Sequence, residues 1–326
     1  SSQENLSTII SEELGLSDIT TFKLESSSCS GAMAVNIGHK LLNSDNLESV
    51  LIIGAEKMTD LSPAETIKAT ALGESYEYTQ FFGITMNSLY ALFSRLYMEK
   101  YDVTSEELSQ FSVLSHKHSV TCKHAQFNRE FSLDSINKSA IISSPLRMLN
   151  CSPIGDGSAS LVLSKTNNSN FDDVNILSST SSNSSTSFFS REDLLKFYST
   201  TSCLNKSLAE SKIKLEDIDL LEIHDVVPAI TANILETMGF SKPGNASSDV
   251  LSGRYDLNSK VTLSSSGGLK ARGNPLSATG IYQIIEVTRQ LQNRSHADLE
   301  NKNIGLCHNM TGIDSNTVVH VLGVAN

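Results

Sequence analysis

The chain has 326 residues, a hydrophobic content of 39% and a formal net charge of −11, so it is long enough to bury a large core. The acidic charge argues against a nucleic-acid backbone as partner, because phosphate contacts require clustered Lys and Arg. No apolar run approaches the roughly 20 residues that span a bilayer, and the first residues lack the pattern of a signal peptide, which predicts a cytoplasmic protein without a membrane partner.

Apolar runs separated by breakers predict alternating strands and helices, the pattern of an α/β protein. The first half has a short strand, a small-residue loop, an apolar helix that extends through Leu42, and a second strand. Residues 60–150 contain helical patterns and are predicted to be a helical insertion over the sheet. The strands predicted here cover residues 21–25, 50–54 and 160–163, and the clearest helix of the insertion covers residues 88–101.

The second half repeats the order strand, small-residue loop, helix and strand, which predicts two halves of one duplicated fold. The predicted boundary separates residues 1–166 from residues 167–326. Residues 166–190 are rich in Ser and Asn around a possible strand at 174–177, and we predict a flexible surface loop there. The remaining strands are predicted at 218–223, 261–263, 304–306 and 318–322, with a helix at about 277–291.

The five cysteines are an odd number without a CxxC pair, so each is expected to be a core thiol or a reactive one. Cys29 differs from the others because it follows a predicted strand and three serines and directly precedes an apolar helix. At a helix N-terminus the free N–H groups and the helix dipole stabilise a thiolate and lower the pKa of the thiol. Cys29 is therefore the predicted nucleophile, with a small core residue in a strand–helix turn as the alternative.

His224 ends a predicted strand, at the edge where α/β proteins commonly hold reactive groups. It is a candidate general base or oxyanion donor, and a hydrogen-bonded structural histidine is the alternative. His308 follows another predicted strand and is expected to face the same cleft. The glycine-rich loop at 267–275 allows close approach of a ligand, and a tight turn with solvated cations is the alternative.

One cluster has the residue types that bind zinc: His116, His118, Cys122 and His124. Their spacing matches no standard zinc motif, and in a helix the first three would not share one face. We therefore predict a polar helix and no metal site.

Together these segments resemble the thiolase superfamily, in particular archaeal and sterol-carrier-type acetyl-CoA acetyltransferases, over nearly the whole chain. The resemblance implies a duplicated five-layer α/β/α/β/α fold and a chain whose leading strand and helix are missing before Ser1. The segments that carry it are Ser28-Cys29-Ser30-Gly31, Gly54 to Thr59, Cys151 to Gly157, Glu222-Ile223-His224-Asp225, Gly267 to Gly280 and His308-Asn309.

The resemblance also implies a chemistry. Cys29 would attack acetyl-CoA to form an acetyl-enzyme, and a second acetyl-CoA would condense with it to give acetoacetyl-CoA. His224 would hold the thioester oxygen or act as base, and N–H groups near Cys29 and Gly312 would stabilise oxyanions. Coenzyme A enters only as the substrate thioester, and no other cofactor is expected. The candidates for contact with its phosphates are Lys270, Arg272 and Arg147.

Partners and a pathway are implied in the same way. Members of the family are usually dimers, so a homodimer or a higher homo-oligomer is expected. Archaeal relatives associate with hydroxymethylglutaryl-CoA synthase and a small zinc-ribbon protein, which makes both expected partners. The corresponding setting is lipid metabolism through the mevalonate pathway.

Departures from the family pattern fall in the second half. Asn274 stands where the family's Gly-His-Pro motif has the histidine that takes the nucleophile's proton, and a neutral amide cannot accept that proton. Thr311 replaces an expected glycine, and Ile313 and Asp314 replace a small-residue turn. These changes predict reduced or altered thiolase activity.

Two alternatives follow from these departures. Cys29, His224 and Asn274 together resemble the Cys-His-Asn set of type-three ketoacyl synthases, which indicates a synthase-like condensing enzyme. The other alternative is a degenerate thiolase-like subunit that keeps the fold as a scaffold for a partner.

Overall fold

The computed structural model describes residues 3–44, 47–166, 173–297 and 299–324. No helix in these ranges is both long and apolar enough to cross a membrane. The α-helices in these ranges are α1 (Leu6–Glu13), α2 (Ser30–Ser44), α3 (Pro63–Ala71), α4 (Met86–Tyr101), α5 (Ser105–Ser119), α6 (Leu133–Lys138), α7 (Tyr198–Ser211), α8 (Pro228–Thr237), α9 (Ala246–Leu251), α10 (Gly268–Ala271) and α11 (Thr279–Leu291). The strands are β1 (Ser49–Glu56), β2 (Ile141–Ser143), β3 (Leu146–Arg147), β4 (Gly157–Ser164), β5 (Val174–Asn183), β6 (Leu220–Glu222), β7 (Thr262–Leu263), β8 (Ile304–Thr311) and β9 (Asn316–Val324).

The first half is built on an antiparallel pair of strands, β1 and β4, whose register runs from Ser49 opposite Ser164 to Glu56 opposite Gly157. Both strands were predicted. The third strand predicted for this half, at 21–25, is wrong, because the described backbone there forms no ladder with a neighbouring strand and is irregular.

Helices dominate the stretch between β1 and β4. The pattern predicted at 88–101 forms α4, and α5 follows it after a short turn. Capping boxes fix where these two helices begin, because the Thr85 and Thr104 hydroxyls each accept a backbone N–H from the first turn. The only described strands of this stretch are the short hairpin pair β2 and β3.

The second half contains a five-stranded sheet in the order β5-β9-β8-β6-β7. Strand β9 is antiparallel to β5 and β8, whereas β6 is parallel to both β7 and β8. Because side chains alternate along a strand, each strand of the sheet presents two faces. One face packs under α7, and the other packs against α2 and α11.

The serine-rich stretch is a strand and not the predicted flexible loop. Strand β5 continues through Asn183, and the side chains of Ser178, Ser179 and Thr180 are buried. Their hydroxyls have partners: Ser178 donates to the Ser207 hydroxyl at 3.1 Å, and Thr180 donates to the Cys203 carbonyl at 2.9 Å. Burial of these polar residues is tolerated because α7 supplies the acceptors. The predicted boundary after residue 166 adjoins residues 167–172, which lie outside the described ranges.

Helices α2 and α11 pack against each other between the two sheets. A Cβ atom on Gly280 would come within 2.6 Å of the Ala32 Cβ, and one on Gly31 would clash with the Ser277 carbonyl. The two glycines therefore set how closely the helices approach. The two helices and the two sheets, with α7 on the outer face of the larger sheet, account for four of the five predicted layers, and the α/β fold is confirmed.

Candidate functional site

Cys29 lies at the start of α2, as predicted. A 3₁₀ turn from Ser27 to Cys29 leads directly into the helix, and the Cys29 N–H donates to the Ser26 carbonyl at 3.2 Å. The side chain is 0% exposed and packs against Ala32 and Val318. The thiol therefore occupies the interior where α2 meets β9.

The predicted lowering of the thiol pKa is wrong for this structure. Burial raises the pKa of Cys29 to about 11, and contacts with the Ser26 and Thr311 hydroxyls lower it only in part. Desolvation disfavours a thiolate more strongly than a helix N-terminus favours it when no water or opposite charge replaces the lost solvation. Cys29 is a neutral thiol at neutral pH.

Thr311 lies directly against Cys29 at the end of β8. The Cys29 N–H lies 3.3 Å from the Thr311 hydroxyl oxygen and donates to it, while that hydroxyl donates to the Ser26 carbonyl at 2.7 Å. The backbone N–H beside the nucleophile is therefore shared between two protein acceptors. This contact depends on the residue that replaces the glycine expected at this position.

His224 lies near the same end of the sheet. The parallel pairing of Glu222 with Cys307 brings the residues that follow β6 beside the later part of β8. The His224 Nδ1 is 3.4 Å from the Asn309 side-chain nitrogen, which also donates to the Gln283 side chain at 3.1 Å. Burial lowers the pKa of His224 to about 3. The imidazole is therefore neutral, which suits a hydrogen-bond donor better than a base.

Asp225 has a structural role beside His224. Its carboxylate accepts the Leu269 N–H at 2.7 Å, and a Cβ on Gly268 would clash with it. Asp225 thus fastens the start of α10 to the segment after β6.

His308 does not face the cleft predicted for it. Its neighbours Cys307 and Asn309 point to the α11 face of the sheet, so alternation turns His308 to the α7 face. There its Nε2 lies 3.0 Å from the Thr200 hydroxyl. The prediction assumed that the strand ended at residue 306, whereas β8 continues through Thr311 and fixes the direction of every side chain.

Asn309 is the residue that sequence reasoning missed. It lies opposite Val318 in the sheet and therefore on the face against which Cys29 packs. The alternation of apolar and polar residues beyond Leu306 was the available signal for a longer strand.

Asn274 precedes α11 and is 5% exposed. Its N–H donates to the Pro153 carbonyl at 3.0 Å, and its side-chain oxygen accepts the Thr279 hydroxyl at 3.0 Å. The turn at Leu276–Ala278 that follows it contacts the turn that carries Cys29. The structure therefore brings Asn274 and Cys29 into the same region through the two central helices.

Gly312 lies under a loop from the first half. It has a φ of 59°, and a Cβ there would clash with the Glu74 carboxylate. The same carboxylate accepts the Ile313 N–H at 2.8 Å. A Cβ on Gly73 would lie 3.1 Å from the Ser27 hydroxyl, so the segment after α3 covers the edge of the Cys29 region.

Asp314 has a structural role as well. Its carboxylate accepts the N–H groups of Ser199 and Thr200, each at 2.9 Å, at the start of α7. An acidic side chain at a helix N-terminus satisfies free N–H groups and suits the helix dipole.

The cations proposed for coenzyme phosphates do not lie on an open surface. Lys270 and Arg272 are 3% and 4% exposed and lie over the rings of Phe127 and Tyr282. The alternative of solvated surface cations is wrong for this pair, and neither reaches solvent where phosphates would sit. Arg147 is partly buried and donates to the Ser139 carbonyl at 2.9 Å.

The stretch that was considered for zinc is not the polar helix predicted. His116 and His118 are both buried in α5, and the His118 Nδ1 is 2.9 Å from the Leu263 carbonyl. His124 lies 2.8 Å from the Glu286 carboxylate and 3.4 Å from the Cys122 sulfur. Among the described residues, no three His, Cys, Asp or Glu side chains converge as metal ligands.

Both halves match known family models. Residues 2–167 match the family described as thiolase, N-terminal domain, and residues 180–324 match the thiolase C-terminal domain-like family. The acetyl-CoA acetyltransferase of Methanothermobacter thermautotrophicus is 32% identical over 323 residues, which cover 98% of this chain and 84% of that protein. Sterol carrier protein 2 of Bos taurus is 27% identical over 95% of this chain and 60% of its own length.

Solved structures share the fold. The structure titled Ltp2-ChsH2(DUF35) aldolase superimposes with a TM-score of 0.85 at 20% identity, over 99% of this chain and 85% of that one. A monomeric SCP2-thiolase like protein type 1 from Mycobacterium smegmatis gives a TM-score of 0.66 at 16% identity, over 92% of this chain and 61% of that one.

Proposed function

The chain belongs to the thiolase family, and on that premise we propose that it is a thiolase-like acyltransferase that accepts an acyl group from a coenzyme A thioester onto Cys29. The observation that supports this role most directly is the position of Cys29. It begins a central helix, on the sheet face that also carries Asn309, and His224 lies next to Asn309.

The first step is a thioester exchange. The Cys29 sulfur attacks the thioester carbon, the bond from that carbon to the coenzyme sulfur breaks, and the proton of the Cys29 thiol leaves with the coenzyme thiol. His224, neutral because its pKa is lowered to about 3 by burial, donates a hydrogen bond and does not take the proton. Asn274 donates in the same way.

The finer proposal is acetyl-CoA C-acetyltransferase activity, in which acetyl-Cys29 condenses with acetyl-CoA or acetoacetyl-CoA is cleaved by coenzyme A. Relatives with the name acetyl-CoA acetyltransferase at 32% identity support it. Condensation requires a base for the carbon acid, and Asn274 cannot serve as one. We therefore expect condensation to be slower than acylation of Cys29.

Intact-mass measurement of protein mixed with acetyl-CoA tests the acyltransferase proposal. We expect one acetyl group on the wild type, none on Cys29→Ala, and one on Cys203→Ala, a matched control at another buried cysteine. A folded wild type that stays unmodified at saturating acetyl-CoA would overturn the proposal. Cleavage of acetoacetyl-CoA by added coenzyme A tests the finer reaction.

A synthase-like condensing enzyme is the second candidate, favoured by Asn274. Its signature is a protein that acylates Cys29 but does not cleave acetoacetyl-CoA. The third candidate is a scaffold subunit, favoured by the complete burial of Cys29. A folded protein that neither acylates nor cleaves acetoacetyl-CoA would identify it.

Partners remain part of the proposal. We propose a small zinc-ribbon subunit as partner, because the structural neighbour with the higher TM-score is titled as a complex with a DUF35 protein. Hydroxymethylglutaryl-CoA synthase, a homodimer, the cytoplasm and the mevalonate pathway are proposed from the family alone. Light scattering of the purified chain, alone and with the zinc-ribbon protein, tests the assembly.

A further inference from the structure

The contact between Thr311 and Cys29 is the feature from which a further inference follows. The Thr311 hydroxyl oxygen accepts the Cys29 N–H at 3.3 Å and donates to the Ser26 carbonyl at 2.7 Å. The same hydroxyl also interacts with the Cys29 thiol. One side chain therefore meets both the attacking atom and the nearest backbone donor.

An acylated cysteine places its carbonyl oxygen close to its own sulfur. Backbone N–H groups beside a nucleophile are the usual donors to that oxygen when it becomes negatively charged, at about 2.7–3.1 Å. The Thr311 oxygen already lies on the Cys29 N–H, and its proton is directed to Ser26. Its lone pairs would repel an incoming oxyanion at that position.

The surroundings hold Thr311 in place. Its side chain is 7% exposed. A Cβ on Gly73 would lie 3.7 Å from the Thr311 methyl group, and the Glu74 carboxylate two residues' distance from Thr311 in the loop above accepts the Ile313 N–H. The hydroxyl can leave the Cys29 N–H only if its side chain rotates within this packed region.

We propose that Thr311 controls access of the thioester oxygen to the Cys29 N–H, so that its hydroxyl must move before Cys29 is acylated. This inference depends on the proposed acyltransferase function. Thr311 acts here as a positioning residue, because it determines where the acyl oxygen can bind and takes no part in bond exchange. The residue thus restricts acyl transfer in a chain that keeps the nucleophile.

Three substitutions separate the hydroxyl from the shape of the side chain. Thr311→Ala removes both the hydroxyl and the methyl group, Thr311→Ser keeps the hydroxyl, and Thr311→Val keeps the shape without the hydroxyl. We expect Thr311→Ala to acylate Cys29 from acetyl-CoA about tenfold faster than the wild type, the equivalent of one hydrogen bond. The Ser and Val variants should stay within about threefold of the wild type, because both keep an atom against the N–H.

Alkylation by iodoacetamide supplies a readout that loss of packing alone would move differently. Alkylation forms no oxyanion, so Thr311→Ala should raise acylation more than alkylation. Equal increases in both rates would show that the substitution only loosens the region, and would overturn the proposal. Equal acylation rates in the folded wild type and Thr311→Ala would also overturn it while leaving the acyltransferase function intact. Failure of every variant to acylate, with normal thermal unfolding, would instead refute the proposed function.

Discussion

Alkylation of Cys29 in the folded protein should be slow and should keep rising with pH through the alkaline range. Burial raises the pKa of this thiol from 9.0 to about 11. At pH 8 the thiolate fraction is then about one thousandth, compared with about one tenth for a thiol of ordinary pKa. Since only the thiolate reacts, the folded protein should react about a hundredfold more slowly at Cys29 than the unfolded chain.

The assay is iodoacetamide labelling from about pH 7 to about pH 10, followed by quantification of the peptide that contains Cys29. The same protein in denaturant gives the reference rate for each pH. Cys203 serves as an internal control, because burial raises its pKa to about 12 and it should label more slowly still. Circular dichroism at each pH confirms that the protein stays folded.

A plateau of the folded-state rate below pH 9, at a level close to that of the unfolded chain, would refute the reasoning. It would mean that the N-terminus of α2 stabilises the thiolate more than burial destabilises it. Labelling of Cys29 and Cys203 at one common rate would instead indicate reaction through global unfolding.

Three further outcomes are expected. Asn274→His should raise the rate of acetoacetyl-CoA cleavage at least tenfold, because an imidazole can take the proton that an amide cannot, whereas Asn274→Ala should not. Gly280→Ala should lower the free energy of unfolding by about 1–3 kcal/mol, since the added Cβ would lie 2.6 Å from the Ala32 Cβ, and an unchanged denaturant midpoint would contradict this. Stability should fall as the pH drops from 6.5 towards 3, by up to about 1.4 kcal/mol per pH unit for each buried histidine, because the folded state keeps these rings neutral. Glu222, whose pKa burial raises to about 8, opposes this trend alone, and denaturant midpoints at pH 7 and pH 5 measure the sum. The histidines whose pKa is lowered to about 3 are His116, His224, His308 and His320.

The sequence was sufficient for the elements whose signal is local. Strand β1 has an apolar run that identifies it, and α4 has a helical period with a capping threonine before it. Cys29 was placed correctly at the start of α2 because small residues precede an apolar helix. Each of these signals lies within one short window of the chain.

What the sequence did not reveal depends on contacts between distant residues. Ser178 is buried because Ser207 of α7 accepts its hydroxyl proton, and no local pattern encodes that partner. The pKa of Cys29 depends on a residue 282 positions away, Thr311, and on the sheet that surrounds it. The direction of His308 depends on pairing with β9, which extends β8 beyond its apolar start.

The residues that hold the two halves together are separate from those that distinguish this chain chemically. Gly31 and Gly280 fix the approach of α2 and α11, and that approach alone brings the start of each helix into one region. Asn274 and Thr311 lie beside the same region, but neither lies at the crossing of the two helices. A change at either position can therefore alter proton transfer or oxyanion binding without disturbing the helix packing. For this reason the fold of the chain is not evidence that its rate or its reaction matches that of its relatives, and Cys29 chemistry has to be measured directly.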